Sequence, residues 1–276
     1  IVYCSTSGYG QDGPYAQWVG HDINYLAVGG FLGCSGRDAE GRPALPGATV
    51  ADSAGGGMHA AMSIMAALVG RATTGVGTHL DVSVVDGVLN LMSLYLDQYL
   101  ATGEETRPGS ALLTGRFACY GVYTAGDGRH LAVGAIEGKF FRNLCRLLDI
   151  GQFADAQYDS SRQDEIRQAL QQRFSTRTRD EWVGILADKD ACVAPVLDIA
   201  ELATDRHLRS RATFMTANHP KHGNFEQLAP CLAGGEREQP TFDLPPAGHL
   251  DTDSVLGGAG FSADEIRKLR SSGSVQ

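Results

Sequence analysis

The chain has 276 residues, of which 43% are hydrophobic and 20% charged, a composition that excludes a disordered or fibrous protein. No uninterrupted apolar run approaches the roughly 20 residues of a membrane-spanning helix. The net charge of -9, with Lys and Arg scattered along the chain, argues against a nucleic-acid-binding surface.

The first predicted element is a buried strand over residues 1–4, Ile-Val-Tyr-Cys. Because Ile1 follows no initiator Met, turn or cap, we expect the chain to begin inside a domain of a longer protein. Residues 5–57 are rich in Gly and turn residues, which predicts a long functional loop region.

A helix, a strand and a second helix are predicted next. Residues 58–71 are apolar nearly all round, which predicts a buried helix whose amino terminus lies at the glycines beside Asp52. Residues 78–85 predict a strand, and Asp86 is the expected cap of the following helix, which ends near Gly103.

A second structural unit is predicted from about Gly115. Residues 120–124 and 129–135 have the composition of strands and flank Gly126-Asp127-Gly128. This arrangement is typical of a β-hairpin.

Glu137 follows the hairpin directly. Because residues 139–148 carry apolar side chains at helical spacing, Glu137 is predicted at a strand-to-helix junction, where side chains commonly point into a cleft. The chain from about residue 225 is rich in Pro and Gly and ends in a short amphipathic helix. The remaining helices are predicted at residues 162–174, 178–188 and 262–270.

Residues 8–13, Gly-Tyr-Gly-Gln-Asp-Gly, match the dinucleotide-binding pattern G-x-G-x-x-G. That pattern requires a helix to begin within it, but Pro14 follows at once and no helical stripe comes after it. We therefore predict a turn-rich loop here.

Three residues are candidates for acid–base chemistry: His21, Asp52 and Glu137. A His, an Asp that orients it and a second carboxylate can remove a proton from carbon and return it to the opposite face. Each residue has a structural alternative: His21 can be a structural histidine whose ring nitrogens are satisfied by hydrogen bonds, Asp52 a helix N-cap and Glu137 a carboxylate that complements the helix dipole. Backbone N–H groups at the glycine-rich helix start beside Asp52 are candidates to stabilise a developing oxyanion.

The six cysteines stand far apart, without a C-x-x-C pair or a His at zinc-ligand spacing. We expect neither a structural metal nor a disulfide framework. The cysteines, predicted to be small buried thiols, indicate a reducing compartment, the cytoplasm or an organelle matrix. They are Cys4, Cys34, Cys119, Cys145, Cys192 and Cys231.

Residues 51–57, 134–137 and a third segment resemble α-methylacyl-CoA racemases, a branch of the class III CoA-transferase (CaiB/BaiF) superfamily. Further matching segments occur in the same order, so the resemblance extends over nearly all of the chain. An Asp at the position of Asp52 is widespread in that superfamily, whereas the pair matching His21 and Glu137 marks the racemase branch. The third segment consists of Gly20, His21, Asp22, Ile23, Asn24 and Tyr25.

The resemblance implies 1,1-proton transfer on a 2-methylacyl-CoA thioester. One base takes the α-proton and leaves an enolate, and the conjugate acid of a second base returns a proton to the opposite face. His21, oriented by Asp52, and Glu137 would be the two bases, and residues 20–25 would also line the CoA thioester site. Backbone N–H groups near Asp52 would hold the enolate oxygen. No metal or redox cofactor is implied, since coenzyme A is part of the substrate.

The resemblance also implies an α/β fold of the interlocked-homodimer type, with a partial Rossmann-like large domain whose start precedes Ile1, and a smaller α+β domain. We expect residues 1–110 to form the remainder of the large CoA-binding domain, with catalytic loops and a linker helix. Residues 111–224 would form the small domain, and residues 225–276 a segment that returns to the large one. The expected partners are an acyl-CoA substrate and a second copy of the chain, with neither nucleic acid nor membrane.

Two alternatives accompany this interpretation. In a class III CoA-transferase, Asp52 would act as a nucleophile on an acyl-CoA and pass CoA to a second carboxylic acid. In the other alternative the chain is a truncated, inactive member whose motifs are inherited but whose missing segment prevents CoA binding.

Overall fold

The computed structural model describes residues 1–229, 241–246 and 248–276. These residues divide into two compact units, Ile1–Val196 and Leu197–Gln276. In the described part of the chain, no helix has the length and apolar character needed to cross a membrane.

The first part of the Ile1–Val196 unit contains a two-stranded parallel sheet, in which Val2 lies opposite Thr78 and Ser7 opposite Ser83. Five buried side chains form a first hydrophobic core, namely Leu26, Ala51, Val84, Val88 and Met92. The elements in chain order are β1 (Val2–Ser7), α1 (Asp22–Val28), α2 (Phe31–Cys34), a π-helix (Ala51–Met58), α3 (His59–Thr74), β2 (Thr78–Ser83), α4 (Val84–Leu91) and α5 (Ser93–Thr102).

The predicted loop over residues 5–57 is wrong in part. β1 continues to Ser7, α1 and α2 form within the segment, and the predicted helix begins at Ala51 rather than at residue 58. Such short helices present too few turns for a periodic pattern to emerge among glycines and turn residues. The glycines beside Asp52 consequently lie inside a π-helix, not at a free helix start.

The predicted boundary between strand and helix after residue 78 also needs correction. β2 ends at Ser83 rather than at residue 85. The Ser83 hydroxyl, and not Asp86, caps α4 by accepting a hydrogen bond from the Asp86 N–H at 3.2 Å. Val85, predicted to be in a strand, is a buried residue of α4 because the cap starts the helix before it.

Two predictions of burial are wrong. Ile1, at the start of the predicted buried strand, is 89% exposed, and Tyr3 is also exposed. Helix α3 has no buried residue, and Met62 and Val69 are among its exposed side chains. An apolar sequence indicates a surface suited to packing, but it does not show whether the same chain supplies the covering residues.

A glycine-to-glycine contact joins α4 to the π-helix. A Cβ atom built on Gly87 would lie 2.0 Å from the Gly55 carbonyl oxygen, and one built on Gly55 would lie 2.8 Å from the Val84 carbonyl oxygen. The absence of side chains on both residues therefore allows the two backbones to approach closely. Because Asp52 belongs to this π-helix, the contact helps to fix the position of a candidate site residue.

We expect Gly87→Ala to lower the free energy of unfolding by about 3 kcal/mol, because the new methyl group must displace the Gly55 backbone. Urea-induced unfolding measures the change. The matched control is Gly70→Ala in α3, where an added Cβ meets no atom of the described residues within 4 Å. That variant should be unchanged or more stable by about 0.5 kcal/mol. An unchanged unfolding midpoint for Gly87→Ala would contradict the close contact.

The second part of the same unit is a three-stranded antiparallel sheet, in the order β3-β4-β5, covered by helices. A second hydrophobic core lies between the sheet and the helices, with Phe141, Leu144 and Phe174 fully buried. The elements are β3 (Tyr120–Thr124), β4 (His130–Gly134), α6 (Gly138–Leu147), α7 (Gln163–Phe174), α8 (Arg179–Leu186) and β5 (Val193–Pro195), with short 3-10 helices at Leu112–Thr114 and Gly151–Phe153. The predicted hairpin and the three predicted helices are confirmed.

The Leu197–Gln276 unit contains a three-stranded sheet in the order β7-β6-β8. Its elements are α9 (Ile199–Thr204), α10 (Arg206–Ser210), β6 (Phe214–His219), β7 (Gly223–Leu228), β8 (Thr241–Asp243), α11 (Thr252–Gly258) and α12 (Ala263–Ser271). The helix predicted at residues 262–270 is confirmed, but the described residues of the tail before it form two strands and a helix. The exposed strand β7 lacks the apolar alternation by which strands are recognised. Residues 230–240 and 247 of this tail lie outside the described residues.

The predicted burial of the cysteines is correct for Cys119 and Cys145, while Cys4 and Cys34 are partly buried. Burial raises the pKa of the Cys145 thiol to about 12. Cys192 is exposed, so the prediction is wrong for this residue. Cys192 lies in the connection between α8 and β5, where its backbone has a left-handed conformation. Cys231 lies outside the described residues.

The predicted mixed α/β class is confirmed by the parallel β1-β2 sheet, the antiparallel β3-β4-β5 sheet, the mixed β7-β6-β8 sheet and the intervening helices. The two hydrophobic cores of the first unit lie on either side of residue 110 in the sequence, at residues 26–92 and 118–193. The division into residues 1–110, 111–224 and 225–276 stays a prediction.

Candidate active site

The loop that carries His21 leaves the carboxyl end of β1. Because β1 and β2 are parallel, both strands end at the same edge, where open α/β sheets commonly bind ligands. The Gln11 N–H donates to Asp81 Oδ2 at 2.9 Å, and the Val85 N–H donates to the Gly8 carbonyl at 3.1 Å. Residues 8–13 are a loop, as predicted, and Gly10 and Gly13 there have positive φ angles.

Tyr25 fixes the backbone just before His21. Its hydroxyl donates to the Gly20 carbonyl at 2.6 Å. Its ring lies over Gly8, where an added Cβ would be 2.3 Å from Tyr25 Cε1. Burial raises the pKa of the Tyr25 phenol, and the neighbouring Tyr9 and Asp52 add to the rise. Tyr25 therefore has a structural role within residues 20–25.

A partly exposed aromatic cluster accompanies this segment. Tyr9 makes edge-on contacts with Tyr15, Trp18 and Tyr25, with ring centroids 5.2 to 6.1 Å apart. Tyr15 and Trp18 stack at 4.0 Å and are both exposed. Sequence reasoning did not single out this cluster, although four aromatic residues within 17 positions were a visible signal.

His21 is the N-cap residue of α1. Its backbone N–H donates to Asn24 Oδ1 at 3.0 Å, and its carbonyl accepts from the Asn24 N–H at 2.8 Å. The exposed imidazole therefore projects from a backbone that is held in place. Asn24, predicted to line a CoA site, here uses its side chain in this cap.

Asp22 connects the start of α1 to the start of the π-helix. The Asp52 N–H donates to Asp22 Oδ1 at 3.0 Å, so the backbones that carry His21 and Asp52 lie close together. Asp52 lies in the first turn of the π-helix, whose N-cap is Val50, so the alternative in which Asp52 is an N-cap is wrong. π-Helical segments occur frequently at functional sites.

The Asp52 carboxylate is exposed. No hydrogen bond within residues 1–229, 241–246 and 248–276 joins this carboxylate to the His21 ring. The orienting role of Asp52 and the CoA-lining role of Ile23, which is also exposed, therefore stay predictions.

Glu137 lies between β4 and α6, as predicted, and is the N-cap residue of the helix. Its carbonyl accepts hydrogen bonds from the Phe140 N–H at 2.9 Å and the Phe141 N–H at 3.1 Å. Its carboxylate is exposed. Burial raises the pKa of Tyr158 and of Cys192, and in both cases the negative charge of Glu137 contributes to the rise.

The structure thus brings two of the three predicted catalytic residues, His21 and Asp52, into one neighbourhood. Among the described residues, no hydrogen bond or ion pair connects Glu137 to either of them. All three side chains are open to solvent. In the part of the chain that the structure describes, no three His, Cys, Asp or Glu side chains form a group able to hold a metal ion.

Comparisons with known proteins place these observations in a family context. A model of the family described as CoA-transferase family III matches residues 1–250. The human α-methylacyl-CoA racemase is 35% identical over 98% of this chain and 70% of its own length, and the mouse protein of the same name is 34% identical over the same shares. The human succinyl-CoA:glutarate CoA-transferase is 27% identical over 93% of this chain and 59% of its own length.

Two solved structures share the fold. A CaiB/BaiF family protein from Brucella suis, 25% identical, superposes with a TM-score of 0.63 over 78% of this chain and 57% of its own. A protein from Mycobacterium tuberculosis, 18% identical, gives a TM-score of 0.70 over 84% of this chain and 62% of its own. The chain therefore spans about three fifths of the solved structures that it matches.

Proposed function

Because the chain belongs to CoA-transferase family III, we propose that it is an enzyme that interconverts the 2R and 2S forms of 2-methylacyl-CoA thioesters. The observation that carries the proposal is the pair of exposed side chains, His21 and Glu137. Each lies at the N-cap of a helix, and hydrogen bonds fix the backbone of each residue. The similarity to two mammalian racemases supports the same reaction.

The proposed reaction breaks the α C–H bond and re-forms it on the opposite face. One base takes the α-proton, the electron pair moves into the thioester carbonyl to give an enolate, and the conjugate acid of the other base protonates the α-carbon. His21 and Glu137 are the two bases in this proposal, and Asp52 orients the His21 ring. Hydrogen-bond donors of the protein that face the enolate oxygen stabilise the negative charge that develops on it.

We further propose that a second copy of the chain completes the site. The three candidate side chains are exposed, whereas acid–base chemistry on carbon is favoured in a site from which water is excluded. In an interlocked homodimer, located in the cytoplasm or an organelle matrix, residues of the second copy would cover these three side chains. The acyl-CoA substrate is the small-molecule partner in this proposal.

A CoA-transferase is the second candidate function. The Asp52 carboxylate is exposed and makes no hydrogen bond to the His21 ring among the described residues, so it is accessible to an acyl-CoA as a nucleophile. The similarity to a CoA-transferase over most of the chain supports this alternative.

The test is deuterium incorporation at C2 of each enantiomer of a 2-methylacyl-CoA in heavy water, with the full-length protein. Incorporation together with inversion is expected. The control substrate is a 2,2-dimethylacyl-CoA, which has no α-proton and reports CoA transfer alone. Absence of exchange at C2, together with transfer of CoA from the control substrate to free acids, would contradict the racemase proposal and support the transferase.

A further inference from the structure

The backbone that leads into Glu137 is held by two consecutive side chains from a distant segment. Gln157 Nε2 donates to the Ala135 carbonyl at 3.0 Å and to the Ile136 carbonyl at 2.5 Å. The Tyr158 hydroxyl also donates to the Ile136 carbonyl. Both peptide planes that immediately precede Glu137 are thus bonded by side chains of one short segment.

The sheet itself does not hold these two carbonyls. β4 ends at Gly134, and its pairing with β5 ends at Val133. The last bond to the neighbouring strand region runs from the Ala135 N–H to the Cys119 carbonyl at 2.9 Å. The direction in which the chain leaves the sheet therefore depends on donors outside it.

Gln157 is itself firmly placed. It is only 7% exposed, and Gln163, equally buried, donates from Nε2 to the Gln157 carbonyl at 3.2 Å. Gln163 Oε1 in turn accepts from the Ala118 N–H at 2.8 Å, and its Nε2 also donates to the Asp159 carbonyl. This chain of amides anchors the segment in the second hydrophobic core.

Tyr158 is placed differently, because its ring lies on the surface. The side chain is 48% exposed and packs edge-on against Phe117 with ring centroids 5.0 Å apart. Its hydroxyl is committed to the Ile136 carbonyl, so it acts on the backbone rather than on a ligand. Removal of this hydroxyl alone leaves the core intact.

We propose that Gln157 and Tyr158 are positioning residues that aim the Glu137 carboxylate at the α-carbon of the substrate. The inference rests on the function proposed above, because it gives Glu137 the role of one of the two bases. A misplacement of about 1 Å at a catalytic group can cost about 100-fold in rate. A shift of the two peptide planes before Glu137 is therefore expected to lower the rate of proton transfer by Glu137.

The test measures exchange of the α-proton separately for each enantiomer in heavy water, with the full-length protein. A single remaining base still exchanges the proton that faces it without inversion, so Glu137→Gln identifies the enantiomer that depends on Glu137. For that enantiomer we expect a loss of exchange of about tenfold in Tyr158→Phe and about 100-fold in Gln157→Leu. Exchange of the other enantiomer should stay within about twofold of the wild-type rate.

Two matched controls remove the same groups elsewhere in the second core. The Tyr123 hydroxyl donates to the Ala118 carbonyl at 2.6 Å, and Gln171 bonds both the N–H and the carbonyl of Thr124. Tyr123→Phe and Gln171→Leu should lower stability without any difference between the enantiomers.

An equal loss for both enantiomers, or a loss of the same size in the control variants, would overturn the positioning role while leaving the proposed function intact. Wild-type protein that exchanges neither enantiomer would overturn both. If Gln157→Leu does not fold, Tyr158→Phe decides the question alone, because it removes one hydroxyl from an exposed side chain.

Discussion

His21→Ala is expected to lower the racemisation rate of a 2-methylacyl-CoA by about 10³-fold, because one of the two proton-transfer groups is lost. Glu137→Gln is expected to have an effect of the same size. The two variants should differ in their residual chemistry, since each keeps one base. His21→Ala should retain exchange for one enantiomer only, and Glu137→Gln for the other, as measured by C2 deuteration in heavy water.

Matched controls for these variants are His130→Ala and Glu165→Gln, which change an exposed His and an exposed Glu of the same unit away from the site. Both should racemise within about twofold of the wild-type rate. If His21→Ala and Glu137→Gln instead lost exchange for the same enantiomer, the assignment of the two residues to opposite faces would be wrong.

The local surroundings of Glu137 could be predicted because their signals are local. The Gly126-Asp127-Gly128 turn and its flanking strands define the hairpin, and helical apolar spacing defines α6, so the residue between them must lie at a junction. Such patterns depend only on neighbours in the sequence. The family resemblance added the roles of His21, Asp52 and Glu137, which spacing alone does not supply.

The contacts that shape the site could not be predicted, because they join residues far apart in the sequence. The Asp52 N–H to Asp22 bond spans 30 positions, and the bonds from Gln157 to the carbonyls before Glu137 span 22 and 21. The placement of Gly8 under the Tyr25 ring is of the same kind. No periodicity encodes such pairs, since each depends on how whole elements pack.

The exposure of α3 illustrates a different limit of the sequence. Its apolar residues correctly indicated a helix, but the prediction of burial assumed that the cover came from this chain. In the described residues Met62 and Val69 are exposed instead. Local pattern therefore predicted the type of element better than its surroundings.

Asp52→Asn is expected to lower racemisation by about 100-fold, because the proposed orienting carboxylate becomes a neutral amide that no longer stabilises the imidazolium of His21. The mechanism forms no covalent intermediate, so hydroxylamine added during turnover should leave the wild-type protein active. The rate is measured by C2 deuteration, and modification of residue 52 by mass spectrometry of the digested protein.

Asp86→Asn in α4 is the matched control, because it removes one exposed carboxylate of the same unit to which the proposal gives no role. The Asp86 N–H still donates to the Ser83 hydroxyl in this variant, so the start of α4 is kept. Racemisation within about threefold of wild type is expected for this variant. A hydroxamate found on Asp52, with CoA transfer abolished in Asp52→Asn, would instead establish Asp52 as the nucleophile of a transferase, because only an activated acyl bond at its carboxylate reacts with hydroxylamine in this way.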